Sequence, residues 1–234
     1  MKQVYILLIA LLMGLSANAK RAGTCGPDLR WYLTDNGVLT ISGKGKMYDY
    51  SFNNRAPWSK SDIKRIIIGD GVTTIGEFAF NWCERLTSIS IPNSVTEIGS
   101  SAFEDCRSLT SVTIPNSVTK ISASAFSLCV SLASVTIPNS VKNIGILAFF
   151  KCTSITQISS EAVVPPICES NVFDDINKSE CKLIVPKNSL DAYKQADQWK
   201  DFLLIEGSTT GITNTVYNNS GLADVNTIGN KTAK

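Results

Sequence analysis

A 23-residue period runs through the middle of this chain and leaves few folds open to it. Ile91-Pro92-Asn93-Ser94-Val95 returns as Ile114-Pro115-Asn116-Ser117-Val118 and again as Ile137-Pro138-Asn139-Ser140-Val141. A looser copy, Ile68-Gly69-Asp70-Gly71-Val72, stands one period earlier. Ala79-Phe80, Ala102-Phe103, Ala125-Phe126 and Ala148-Phe149 keep the same phase, and so do Cys83, Cys106, Cys129 and Cys152. A fixed period of this length marks a solenoid, in which each repeat is one coil stacked on the last.

One copy shows what a coil needs. Leu109, Val112 and Ile114 fit the L-x-x-L-x-L pattern of a leucine-rich repeat, and Pro115 ends the strand by removing a ladder donor. Ser111 to Ile114 alternate polar and apolar, the period of a half-buried strand. Ala125, Phe126 and Cys129 follow at spacings that suit a single helical or 3₁₀ turn. With Val118 and Ile121 these apolar residues point inward. A lone coil cannot bury them, whereas stacked coils make a continuous core. Like residues then form ladders between parallel strands about 4.8 Å apart. The expected fold is a mostly β, α/β-type solenoid with strands near 87–91, 110–114 and 133–137.

A solenoid must also close its ends. Upstream, Trp31-Tyr32-Leu33 and Val38-Leu39-Thr40-Ile41 flank Asp35-Asn36-Gly37, a hairpin-turn signal, so residues 20–57 read as an N-terminal β-hairpin cap. Residues 58–160 are the solenoid proper, whose first strand is Ile63 to Ile68. Downstream the period slips, since Phe173 falls 24 residues after Phe149. Residues 161–206 read as a degenerate last repeat and helical cap. In it Ser189 caps a helix from Leu190 to about Ala196, and Trp199 and Phe202 cross the open end. Residues 207–234 are Thr, Asn, Ser and Gly with scattered apolar positions, and read as a flexible tail.

Composition closes off several functions. Residues 1–19 have the plan of a secretory signal: Lys2, an apolar stretch from Val4 to Leu15, then Ala17-Asn18-Ala19. The stretch is too short to span a bilayer, and the residues before Cys25 are not a lipidation signal. A secreted or cell-surface chain with no membrane insertion after processing is therefore expected. Removing the leader leaves 21 basic residues against 20 acidic, without a basic run, so nucleic-acid binding lacks its driving force. There is no histidine, which removes Ser-His-Asp and Cys-His pairs and histidine metal sites. The acids drift among repeat positions and converge on no cleft. An enzyme, a metal site and a cofactor are all unexpected.

The four in-phase cysteines form a line rather than a cluster, which suits small buried hydrophobes better than metal ligands or a disulfide zipper. Cys168 and Cys181 break that line. As a candidate disulfide they would close a loop of 14 residues, contributing on the order of 3 kcal/mol; free thiols are the equal alternative. Cys25 has no evident partner.

The repeats resemble the BspA-like leucine-rich repeats of bacterial surface proteins. The likeness rests on Leu109-x-x-Val112-x-Ile114-Pro115-x-Ser117-Val118-x-x-Ile121, continuing through Ala125-Phe126-x-x-Cys129. It spans about Ile63 to Ile205, and the Cys181 to Pro186 stretch with Trp199 and Phe202 is similar to endings common among gut and oral anaerobes. The resemblance implies a right-handed stack, export, and binding of protein ligands such as host matrix or other cell-surface proteins. Relatives often carry an anchoring module after Thr-Gly-Ile. Here Thr210-Gly211-Ile212 is followed by only 22 residues, too few for one.

Binding residues independent of that likeness are the outward strand positions Ser88, Ser90, Ser111, Thr113, Ser134, Thr136, Gln157 and Ser159. They line one sheet face with hydroxyls and carry no charge. Such positions suit mere solvation as well as an extended partner held by many weak hydrogen bonds of about 0.5–1.5 kcal/mol each. Trp82 and Phe150 occupy variable turn slots, as anchors or as cover for a neighbouring coil. Three classes follow: a protein-binding adhesin or interaction module, a glycan-binding surface protein, and a non-catalytic structural scaffold.

Overall fold

The computed structural model describes residues 19–59 and 62–208. The expected leader, save Ala19, and the tail beyond Ser208 lie outside the described residues. The chain is a mostly β solenoid of about seven turns. Before the repeats come β1 (Ala19–Thr24), β2 (Leu29–Thr34), β3 (Val38–Gly43) and β4 (Gly45–Lys46). The repeats supply β5 (Arg65–Ile68), β6 (Val72–Ile75), β7 (Ser88–Ser90), β8 (Glu97–Ile98), β9 (Ser111–Thr113) and β10 (Lys120–Ile121). They continue through β11 (Ser134–Ile137), β12 (Asn143–Ile144), β13 (Gln157–Ser160) and β14 (Ile167–Cys168). The end is built from β15 (Lys182–Pro186), a 3₁₀ turn at Lys187–Ser189, helix α1 (Leu190–Tyr193) and β16 (Leu204–Ser208).

Each coil contributes one strand to the front of the stack and one to its side. The side is a single sheet in the order β14-β12-β10-β8-β6-β4. The front is split into β1-β2-β3-β5-β7 and β16-β15-β13-β11-β9, although β7 and β9 are neighbours one repeat apart. Pairing within the repeats is parallel and in register: Ser134 lies between Ser111 and Gln157, and Thr136 between Thr113 and Ser159. The break coincides with a local difference in burial. Ile89 of β7 is only half-buried, whereas its counterparts Ile66, Val112, Val135 and Ile158 are buried.

The core follows the repeat. Phe80, Phe103, Phe126 and Phe149 are fully buried and stacked at 5.3, 5.3 and 5.4 Å between ring centroids, and Phe173 extends the row at 5.9 Å despite the sequence slip. Trp58 closes the row at one end, stacked 5.7 Å from Phe80, with Trp31 and Tyr50 edge-on behind it. Trp199 and Phe202 close the other end against Phe173, as their place in the sequence suggests.

The segment expected as a helical turn takes another form. Its residues alternate between two jobs. In one coil the N–H groups of Ser101, Phe103 and Asp105 donate to Ala123, Ala125 and Ser127 of the next coil, each at 2.8 Å. The intervening N–H groups of Ala102, Glu104 and Cys106 donate three residues back, to Gly99, Ser101 and Phe103. This alternation needs a left-handed residue at two points in every coil: Phe78, Ser101, Ser124, Leu147 and Asn171 at one, Trp82, Asp105, Leu128, Lys151 and Asp175 at the other, with φ between 51° and 64°. Left-handed backbone costs an L-residue roughly 1–2 kcal/mol, and the inter-coil bonds offset it. A helix would point every N–H along its own axis and leave the next coil unbonded. The stack thus has a third ladder of backbone bonds.

The coils approach closely at the position of Gly76, Gly99, Ser122 and Gly145. A Cβ on Gly145 would meet Ala123 N at 2.5 Å, so the bare backbone eases the approach there, while Ser122 makes the same inter-coil bond with its side chain in place.

The caps differ from expectation in three details. A third strand, β1, is added antiparallel outside the β2–β3 hairpin. Helix α1 stops at Tyr193, and Ser189 makes no capping bond, because the 3₁₀ turn before it removes the extended backbone a cap requires. Gly207 and Ser208, assigned by sequence to the tail, finish β16, where they pair with Val185 and Pro186.

Candidate interaction surface

The period-two alternation of the front strands sorts their side chains, apolar inward and polar outward. In β9 and β11 the outcome is plain: Ser111, Thr113, Ser134 and Thr136 are exposed around buried Val112 and Val135. Parallel register stacks like on like, so two rows of hydroxyls run along the axis. Gln157 and Ser159 continue them, with Gln157 Nε2 donating to Ser159 Oγ at 3.4 Å. Ser88 and Ser90 continue them beyond the β7–β9 break, Ser88 half-buried and Ser90 exposed.

Among the described residues the hydroxyls of Ser111, Thr113, Ser134 and Thr136 make no hydrogen bond within the chain. The threonines just before the strands behave differently, and they do so in both sheets: Thr96 and Thr119 donate their hydroxyls to the carbonyls of Thr73 and Thr96, and Thr87 and Thr156 donate to those of Lys64 and Ala133. Within the strands, the central front hydroxyls offer their bonding capacity outward, while Lys120 of the side sheet is paired with Glu97 at 3.2 Å.

Sequence reasoning missed the frame around this strip. In the same two rows, Arg65 and Ile67 stand at one end and Lys182 and Ile184 at the other. Arg65 Nε reaches Ser88 Oγ at 3.4 Å, and Lys182 pairs with Glu206 at 3.4 Å. Alternation through Ile63–Ile68 and Lys182–Pro186 carries the signal for both ends. A neutral hydroxyl centre is thus flanked by cation and aliphatic side chains.

Trp82 and Phe150 are not brought together; they lie on the outer turns three coils apart. Trp82 is 41% exposed, with Phe52 beside it at 5.6 Å and the Arg55 guanidinium 4.6 Å from its ring centre. Phe150 is half-buried beneath Lys151, whose Nζ lies 5.1 Å from the ring centre.

The thiols are chemically quiet. Cys106, Cys129 and Cys152 are fully buried, and each Sγ–H donates to the carbonyl of the phenylalanine 26 residues back, at 3.3, 3.2 and 3.1 Å. Burial pushes the Cys83 and Cys152 thiols up to about 12, and those of Cys106 and Cys129 well above their ordinary value. Cys168 and Cys181, the candidate disulfide, are free thiols. Cys168 ends β14 in the side sheet, whereas Cys181 immediately precedes β15 in the front sheet, so the coil separates them. Among the described residues no cluster of metal-ligating side chains occurs and no helix is long and apolar enough to cross a membrane.

An in-register stack of 23-residue coils with one polar sheet face defines a leucine-rich repeat protein. The chain belongs to the BspA type leucine-rich repeat family, whose model matches residues 46–180 in six copies. A leucine-rich repeat protein from Eubacterium ventriosum is 29% identical with a TM-score of 0.61; the match covers 73% of this chain and 45% of that one. The chain therefore spans less than half of that relative. The T. pallidum leucine-rich repeat protein shares the fold, with 24% identity, a TM-score of 0.52 and coverage of 71% and 82%. No curated protein matches the chain.

Proposed function

We propose that this chain is an exported, non-catalytic interaction module that binds a protein ligand, such as a host matrix or cell-surface protein, through its front sheet. The observation that carries this reading is the strip of hydroxyls left without partners in the chain, framed by Arg65 and Lys182. Leucine-rich repeat folds are typically binding scaffolds, which supports the class, and the leader-like residues 1–19 support export. Weak bonds repeated on a rigid lattice suit a partner presenting an extended segment. A glycan is less well matched, because the strip carries no aromatic platform.

The test is a binding panel of matrix proteins and glycans on the purified chain, repeated with Ser111→Arg plus Ser134→Arg. Both residues are exposed, so each change should alter stability by no more than about 0.5 kcal/mol. Binding of a panel protein should be abolished in the double variant with its melting profile unchanged. Retained binding would move the recognition surface off the front sheet, and exclusive binding to a glycan would overturn the protein-ligand reading.

A further inference from the structure

We infer that the outer turn of the first coil holds a second contact: a notch between Phe52 and Trp82 for an apolar side chain of a protein partner, with Arg55 placed for that partner's neighbouring carboxylate. The notch is built before any partner arrives. Ser51 N–H donates to Asn54 O at 2.9 Å, Asn54 N–H to Ser51 Oγ at 3.1 Å, and Arg55 Nε to Phe52 O at 3.4 Å, closing the loop on itself. Phe78 supports Phe52 from below at 5.0 Å. The hollow is shallow, with a cavity volume of about 10 Å³, so it takes the tip of a side chain rather than a small molecule.

Geometry argues for a peptide rather than a sugar. A sugar needs one open aromatic face. Here the Trp82 face carries the Arg55 guanidinium, and Phe52 is tilted 48° to it, so the rings make a wedge and not a platform. Such a wedge accepts an aliphatic or aromatic side chain, with exposed ring surface to cover: Phe52 is 56% exposed and Trp82 41%. Charge argues for an acid next to it. Arg85 and Arg107 pair with Asp62 and Asp105 within the chain, but among the described residues the terminal nitrogens of Arg55 meet no carboxylate. Stacking on Trp82 leaves that fork pre-ordered for bidentate recognition.

Trp82 also supplies the readout, since it is exposed while Trp31, Trp58 and Trp199 are buried. The purified chain is titrated with the blocked dipeptide N-acetyl-Phe-Asp-amide, its Asn isostere and glucuronate, following the indole N–H resonances. The acidic dipeptide should shift the Trp82 resonance alone. Because charge-assisted bonds are roughly twice as strong as neutral ones, the Asn isostere should bind roughly tenfold more weakly. Arg55→Gln should erase that preference, and Phe52→Ser should erase the shift, with the three buried indole resonances unmoved in both variants. No shift with either dipeptide, or an unaltered preference in Arg55→Gln, would overturn the proposal. A stronger response to glucuronate would overturn its choice of partner. Because the readout sits at Trp82, the notch stands or falls independently of the front sheet.

Discussion

The interior of the stack and its two ends solve one problem by different means. Inside, each phenylalanine ring is covered by a copy of itself one coil away, so a single residue choice serves every coil. At the ends no copy exists, and the cover comes from unrelated segments, residues 31–58 on one side and 193–202 on the other. Both arrive at the same device. Trp58 stacks on Phe80 and donates its indole N–H to Ala79 O at 2.8 Å; Trp199 meets Phe173 at a tilt of 55° and donates to Pro166 O at 2.9 Å. A tryptophan ends the row because it has a large ring system to cover the last phenylalanine and one donor to pin its orientation. Repetition handles the middle, whereas termination requires a residue that fixes itself.

The sharpest way to break this comparison is Phe126→Ala. Flanked by rings on both sides, the site cannot collapse, so about 3–5 kcal/mol should be lost in urea unfolding. A loss below about 1 kcal/mol would mean the ring row is not the core's main support. Next come Trp58→Phe and Trp199→Phe, which keep an aromatic cover but remove the indole donor from a buried carbonyl, Pro166 O keeping only the weak Cys168 S–H donor at 3.8 Å. Each should cost about 1–3 kcal/mol by the same measurement, and a clear inequality would show that the two ends are not equivalent devices.

Smaller again, per thiol and per pH unit, is the alkaline response of the buried thiols. Cys83 and Cys152 are raised from 9.0 to about 12 by burial, so the unfolded chain releases their protons first. Stability should be level below pH 9 and fall as pH rises from 9 toward 12, by up to about 1.4 kcal/mol per pH unit for each thiol. Cys152→Ala should reduce that slope without moving its onset. The smallest effect belongs to the outer turns. Lys151 is exposed at φ 57°, and Lys151→Gly should leave stability unchanged or raise it by up to about 1 kcal/mol.

What the sequence disclosed follows the same division. The inward residues of each coil, the positions of β7, β9 and β11 to within a residue, and the closing roles of Trp199 and Phe202 were all legible, because period and hydrophobic phase report burial directly. The left-handed pairs were not. Phe78, Trp82, Leu128 and Lys151 are poor advertisements for positive φ, and only Asn171, Asp105 and Asp175 carry a residue that favours it. The conformation is imposed by inter-coil bonding, which no single repeat contains. Likewise the hydroxyl strip was readable from alternation, but its Arg65 and Lys182 frame belongs to the least regular coils. The notch beside Trp82 depends on Phe52 and Arg55, which lie outside the repeat altogether.

The break between β7 and β9 has a mechanical meaning. A solenoid pulled from its two ends carries the load through its coil junctions in series, so it yields where the fewest bonds cross. Elsewhere in the repeats each junction is crossed by the front strands, the side strands and the outer turns. Between the β7 and β9 coils the front ladder is missing, and the load passes through β8–β10 and the bonds from Ser101, Phe103 and Asp105. Under tension the first two coils and their cap would part from the rest as one block. That block carries Trp82, Phe52 and Arg55, while most of the hydroxyl strip stays behind with the other piece.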